Sequence, residues 1–486
     1  MLKSKSRKSS KSRSLLMKQV KFLGSYGATT IQLEGFEEND IFNPYADLSG
    51  KNLTGANLSG KDLTRADFTG AILRDAILTG ATLTGATFKG ANLSSATLQS
   101  ANLSSANLSN ANFTGANLRG ANFTGANLTG ANLTGANLEV AYFLNTNLTS
   151  ANLTGVNLTG ANLTGANLTG ANLTGVNITG ANLTGANLTN MDLSNRDLSN
   201  RDLSGANLTG VNLTGANLTG ANLTGANLTG ANLTGANITG ANLTGAKFNY
   251  ANLTNMDLSN RDLSNRDLSG ANLTRVNLTR ANLINANFTG ANFTGANLTG
   301  ANIINANFNN ANLTSMDLSN RDLSDANLFN AKLISANLSN ANLTRANVKY
   351  ANLSYANLTN TNLTNADLQS VTFKDAILIG TILTGANFKM ADLTNVNLSH
   401  RDLSGIVSFD FTQFYNANLS YANLTGRILT SAQFNNANLS YANLKGANIT
   451  GADVRDADFS YADLRGMAYD YVDFSEAATI DGAIFD

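Results

Sequence analysis

The sequence predicts an all-β chain wound into a solenoid, and three observations carry that reading. A five-residue unit recurs from Ala46 to Leu403, in its plainest form as Asn-Leu-Thr-Gly-Ala between Asn212 and Gly235. Its apolar centres fall at every position ending in 3 or 8 from Leu48 to Leu403, so about 72 consecutive units keep register. A period of five fits neither the 3.6 of an amphipathic helix nor the 2 of a flat strand. Frequent Gly and β-branched Thr also weigh against a helix. A chain that turns one corner per unit puts Leu, and the small residue two before it, on the inner side. Asn, Thr and Gly then lie outside or at the bend, and coils stack about 4.8 Å apart with hydrogen bonds along the axis.

Within each unit a small residue, usually Ala, stands two places before the centre, and Asn or Asp one place before. Ser or Thr follows, then Gly or Asn. This pattern resembles the pentapeptide-repeat family, whose consensus is Ala-(Asp/Asn)-Leu-x-x, over nearly the whole chain after Ala46. The resemblance implies a right-handed quadrilateral β-helix with four units per coil, Leu or Phe inside and Ala beside it. On that basis the chain forms a single elongated rod of about 21 coils, on the order of 100 Å long, with short end caps. Burying four leucines does not offset the backbone entropy of about 20 residues. No coil should therefore fold alone, and the hydrogen-bond ladder with neighbour stacking must supply the rest.

In chain order, residues 1–14 are a Lys/Arg/Ser arm in which Lys3, Lys5, Arg7, Lys8, Lys11 and Arg13 precede any acidic residue. Such an arm reads as a solvated tail, as a tether for nucleic acid or another acidic partner, or as an organellar transit peptide. Residues 15–45 change composition, with short strand-like runs at Val20–Leu23 and Ala28–Leu33, and read as an N-terminal cap over the open end of the coil. Pro44, the only proline, sits just before the first unit, where a missing N–H does least harm. Residues 46–405 form the main repeat block. After Leu403 the centres move to positions ending in 4 or 9, so one residue is inserted near Gly405–Ser408, and a bulge is expected at that corner. Residues 406–475 form a second block, and residues 476–486 read as a C-terminal cap ending on Ile484 and Phe485.

One departure from the consensus recurs. Lys61, Met191, Arg196, Arg201, Met256, Arg261, Arg266, Met316, Arg321 and Arg401 take the small inward position, and each is followed by Asp. Four units per coil would place Lys61, Arg201, Arg261, Arg321 and Arg401 on one face, since their separations are multiples of 20. That column reads either as exposed pairs neutralising the neighbouring aspartates or as a docking stripe built on Arg201, Arg261, Arg321 and Arg401.

The composition bounds function by what it lacks. There is no Cys or Trp, and His400, at a corner after a Ser, is the only imidazole. No nucleophile–base pair, carboxylate dyad, phosphate-binding loop or metal-ligand cluster is legible, so no enzyme, cofactor or metal is expected. The many Asn-Leu-Thr triplets match a glycosylation sequon only as a by-product of the repeat. Formal net charge is zero, yet the basic N-terminal region leaves a body with 24 basic and 32 acidic residues. No apolar run approaches the roughly 18 residues of a membrane span, and no secretory core is visible, so an intracellular or virion location is expected.

These features favour a structural or scaffolding rod that bridges subunits of a larger assembly, such as a minor capsid component in the virion of a large DNA virus. Its partners would be other structural proteins or copies of itself, with an acidic partner or nucleic acid on the arm, and no membrane or small-molecule substrate. The resemblance implies an alternative, a DNA mimic that protects topoisomerases from quinolones, but mimicry needs a denser negative surface than Asn provides. A third reading is ice binding by flat Asn-x-Thr arrays.

Overall fold

The computed structural model describes residues 41–486. The basic arm and residues 15–40 of the expected N-terminal cap lie outside the described residues. The chain divides into two compact units. The first comprises Met1–Leu193, Leu198–Leu208 and Thr219–Ala226, and the second Ser194–Asp197, Thr209–Leu218 and Asn227–Asp486.

Each unit is a β-helix built on one local rule. In the first, Asn52 bridges Ile72 and Ile72 bridges Asn92; in the second, Asn252 bridges Asn272 and Asn272 bridges Asn292, all in parallel. Each partner stands at the same place of the fourth repeat on, so four repeats make one coil. The sides are single-residue bridges and not the longer strands that an all-β reading suggests. A regular repeat nevertheless pairs its backbone groups from coil to coil. Around Leu53, its N–H donates to the Ile72 carbonyl at 2.7 Å, the Gly55 N–H to Arg74 at 2.8 Å, and the Ile72 N–H to Lys51 at 2.8 Å. The Ala56 N–H closes the corner on the Leu53 carbonyl at 3.0 Å.

That corner is a four-residue turn with positive φ only at its second central residue, +68° at Gly55, the geometry of a type II turn. This explains why the fifth place of the repeat favours Gly and Asn, which reach the left-handed region at least cost. Val140 holds the same place at φ +50°. A β-branched side chain is strained there, so Val140→Gly is expected to stabilise the first unit by about 1 kcal/mol. Urea denaturation of the two proteins checks this.

The inner side is as the pattern predicts. Leu58, Leu63, Ala66 and Phe68 are fully buried, as are Ala271, Leu273 and Phe288 in the second unit. Where Thr replaces the small residue, its hydroxyl stays paired: Thr146 donates to the Phe123 carbonyl and Thr361 to Leu338, both at 2.7 Å. A buried hydroxyl without such a partner would be costly. Phenylalanines gather toward the C-terminal end, where Phe409, Phe414 and Phe434 succeed one another at centroid distances of 5.4 and 5.1 Å.

The outer side carries a second ladder, made by side chains. Asn232 Oδ1 accepts from the Thr234 N–H at 3.2 Å and the Thr234 hydroxyl at 2.7 Å. Asn232 Nδ2 donates to the Thr214 hydroxyl of the preceding coil at 3.0 Å. Elsewhere Asn amides bond directly from coil to coil, as Asn327 Nδ2 does to Asn307 Oδ1 at 3.0 Å. The Asn and Thr of the repeat are thus structural partners of each other.

At residues 405–408 the bridges gain one residue, pairing Asn387 with Ser408 and Asp392 with Gln413, and the ordinary spacing returns from Gln413 to Gln433. Val407, which follows the turn, donates its N–H to the Ala386 carbonyl at 2.9 Å. At the C-terminal end a single 3₁₀ turn, Phe474–Glu476, is capped by the Asp473 carboxylate, which accepts from the Ser475 N–H at 2.9 Å. Beyond it Thr479 bridges Asp458 and Ile484 bridges Asp463, so residues 476–486 extend the ladder. Ile484 and Phe485 remain half-exposed there.

Candidate partner-binding surface

Of the sequence-predicted site residues, Lys3, Lys5, Arg7, Lys8, Lys11 and Arg13 lie outside the described residues. Arg201 belongs to the first unit, and Arg261, Arg321 and Arg401 to the second. All four are half-buried. For Arg261 and Arg401 the reading as exposed partners of the adjacent aspartates is corrected by their contacts. Arg261 donates to the backbone carbonyls of Ile238 at 2.5 Å and Ala241 at 3.3 Å, both on the preceding coil. Arg401 likewise donates to the carbonyl and the hydroxyl of Thr381. The physical reason is position: the small place of the repeat points inward, so a long side chain there folds against the neighbouring coil's carbonyls. Burial pushes the Arg401 guanidinium below its ordinary value.

The aspartates have other partners. Asp262 accepts from the Ser264 N–H at 3.0 Å and from Asn282 Nδ2 of the next coil at 3.0 Å. Asp202 and Asp402 repeat this with Ser204 and Asn222, and with Ser404 and Asn423. The serine hydroxyl and N–H hold Asp202, Asp262 and Asp402 below the usual carboxylate range. Asp keeps the acceptor half of the Asn ladder and gives up the donor half, and an Asn above it supplies the missing proton.

Ion pairs do occur, at other places. Arg345 meets Asp325 at 2.6 Å, Lys349 meets Asp367 at 2.9 Å, and Arg465 meets Asp463 at 2.6 Å. Hydrogen bonds from Arg455 and Arg465 lower Asp453 and Asp463 to about 2. A depressed folded-state pKa gives stabilisation that is complete above the unfolded value and lost as pH falls through the folded one. The melting temperature of the chain is therefore expected to fall between about pH 4 and pH 2. Arg455→Gln with Arg465→Gln should shrink that part of the drop, by a small amount because the pairs are solvent-screened.

No group of three or more His, Asp or Glu among the described residues could hold a metal ion. Two wholly apolar core cavities of about 10 Å³ each, one against Leu233 and Ile238 and one against Leu158 and Leu163, are too small for a substrate. No helix of the described residues is long and apolar enough to cross a membrane.

Comparison with known proteins follows the same pattern. The family described as Pentapeptide repeats matches residues 46–190, 192–295 and 322–466 in overlapping segments. The chain belongs to the pentapeptide-repeat family. Among solved structures, this pentapeptide-repeat protein is 33% identical to HetL, a pentapeptide repeat protein involved in heterocyst differentiation regulation from the cyanobacterium Nostoc sp. strain PCC 7120. That match covers 50% of this chain and 91% of HetL, with a TM-score of 0.24. A pentapeptide repeat protein from the Arabidopsis thaliana thylakoid lumen is 41% identical over 23% of this chain and 70% of its own, with a TM-score of 0.11. QnrB1, a plasmid-mediated fluoroquinolone resistance protein, is 18% identical over 48% of this chain and 89% of its own, with a TM-score of 0.18. No curated protein matches the chain.

Two features of the pentapeptide-repeat surface escaped the sequence reading. Arg427 also occupies a small inward position and donates to the Ile406 carbonyl of the preceding coil; it follows the register shift and precedes Ile428 instead of Asp. The second feature is a column of rings at successive corners. His400 stacks on Tyr421 at 4.6 Å, Tyr421 on Tyr441 at 4.7 Å, and Tyr441 on Tyr461 at 4.9 Å. The even spacing of Tyr421, Tyr441 and Tyr461, one coil apart, was the available signal. Their faces cover one another, so the edges and hydroxyls meet solvent.

Proposed function

We propose that this pentapeptide-repeat protein is a non-catalytic scaffold that binds partners through charge and not through its repeat faces. One observation carries the reading: the outward Asn and Thr side chains are bonded to each other, as Asn232 is to Thr234 and Thr214, and are spent on holding the coils. What remains for a partner are charges outside that ladder. The six cations Lys3, Lys5, Arg7, Lys8, Lys11 and Arg13 form the densest such group, and the body carries an excess of acidic residues. An acidic protein or nucleic acid fits the arm, and a second copy's acidic body is one such partner.

The test uses the full chain and a chain lacking residues 1–14, titrated with a short poly-glutamate and a short DNA duplex. The full chain is expected to bind, with affinity falling as salt rises, because exposed charges are screened beyond about 10 Å at 0.1 M. The deletion should abolish binding and leave the melting temperature unchanged. Equal binding by both proteins would overturn the assignment of the arm. Tight binding of the truncated body to a DNA topoisomerase, displaced by DNA, would replace the scaffold reading with DNA mimicry.

A further inference from the structure

We propose that Arg261, Arg321 and Arg401 each hold one step between coils of the second unit open on two of its four sides, making three yielding joints at fixed places. The ladder is interrupted where each enters. Among the described residues no bridge joins Asn237 to Asp257 or Asn242 to Asp262, although Asn232 bridges Asn252 before them and Asp257 and Asp262 bridge Asn277 and Asn282 after. The same pairs are missing at Asn297/Asp317 and Asn302/Asp322, and at Ile377/Asn397 and Ile382/Asp402. Whole numbers of coils separate Arg261, Arg321 and Arg401, so the same two sides lose their bridges each time, and at the first joint the Lys247/Asp267 bridge is missing as well.

The other two sides keep backbone hydrogen bonds, and at the third joint the Gly385 N–H also still donates to the Gly405 carbonyl at 2.8 Å. At the first joint the Phe248 N–H still donates to Asp267 at 3.1 Å and the Leu253 N–H to Asn272 at 2.9 Å. At the second, Phe308 donates to Asn327 at 2.8 Å and Leu313 to Lys332 at 2.7 Å. At the third, Phe373 donates to Asp392 at 2.7 Å and Phe388 to Ser408 at 3.0 Å.

The arginine accounts for the opening where it reaches a carbonyl of the preceding coil; beside Arg201 in the first unit Asn182 still bridges Asp202. In a closed step the carbonyl of the small residue accepts the N–H of the Asn position one coil on, as Ala231 does from Asn252 at 2.8 Å. At the first joint the Ala241 carbonyl takes the Arg261 guanidinium, and at the third the Thr381 carbonyl takes Arg401. Arg321 is half-buried at the same place of its joint. A guanidinium bound to a carbonyl occupies the space that the ladder needs, and the core loosens accordingly. Ala241 and Leu243 are each 6% exposed and Leu383 is 5% exposed, against 0% for Ala271 and Leu273 in a closed step. A small apolar cavity against Ile238 and Leu243 lies at the first joint. Steps with fewer ladder bonds open at lower free energy than their neighbours, so load or a bound partner would be taken up there first.

Amide hydrogen exchange on the full chain tests this. The N–H groups of Ile238, Gly240, Leu243 and Gly245 are expected to exchange at least ten-fold faster than those of Leu258, Asn260, Leu263 and Asn265, one coil on. The double substitution Arg261→Ala with Asp262→Asn, which restores the consensus, should slow the first set to the rate of the second. Exchange at Leu298 and Ile303 should be unchanged. Equal protection in the unsubstituted chain, or fast exchange persisting at the first joint after consensus is restored, would overturn the proposal. If the double variant fails to fold, the comparison within the unsubstituted chain decides.

Discussion

Leu228→Asp is expected to destabilise the second unit by more than the roughly 2–5 kcal/mol typical of a buried Leu→Ala change. Leu228 is fully buried, and its neighbours along the inner side are other leucines and alanines. A carboxylate there finds no cation and no donor, so burial cost adds to the loss of packing. Urea denaturation should show the midpoint falling, with the loss concentrated in the unit that contains residue 228. A variant that melted with the unsubstituted chain would refute the inward assignment of the repeat centres.

The second large effect is expected at the C-terminal aromatic stack. Phe414→Ala removes a fully buried ring between Phe409 and Phe434. A loss of about 3–5 kcal/mol is expected from the vacated volume and the broken ring contacts. Phe414→Leu should recover most of it, because Leu fills the same place in other coils. A matching loss in both variants would mean that the aromatic contacts, and not volume, hold this region.

The repeat was legible because a strict period fixes which side chains share a face before any contact is known. Leu228 inside and Gly225 at a corner follow from that alone. Bridges such as Asn252 to Asn272 agree with the four units per coil that the family resemblance implied. Less legible was where long side chains go. Arg261 and Arg401 stand at an inward place with an Asp next to them, and sequence proximity suggested pairing. The corner directs the arginine to the preceding coil's carbonyls and the aspartate to Ser264 or Ser404. Direction depends on the backbone at one corner, which a repeat count does not reveal. The His400–Tyr461 column was missed for a different reason. Corner residues were read for their backbone role alone, whereas equal corners on successive coils also bring side chains face to face.

The double role of the surface is also specific to particular residues. Asn232 serves the fold, while Lys3 through Arg13 stand apart from the repeat. If the scaffold account is right, these two sets separate in experiment. The decisive measurement is stability and poly-glutamate binding, taken together on two variants of the full chain. Asn232→Ala should lower stability by about 1–2 kcal/mol, through the lost contacts to Thr234 and Thr214, and leave binding unchanged. Replacing Lys3, Lys5, Arg7, Lys8, Lys11 and Arg13 by Ser should abolish binding and leave stability unchanged. Binding that fell with Asn232→Ala at full folding, or survived loss of all six cations, would contradict the account.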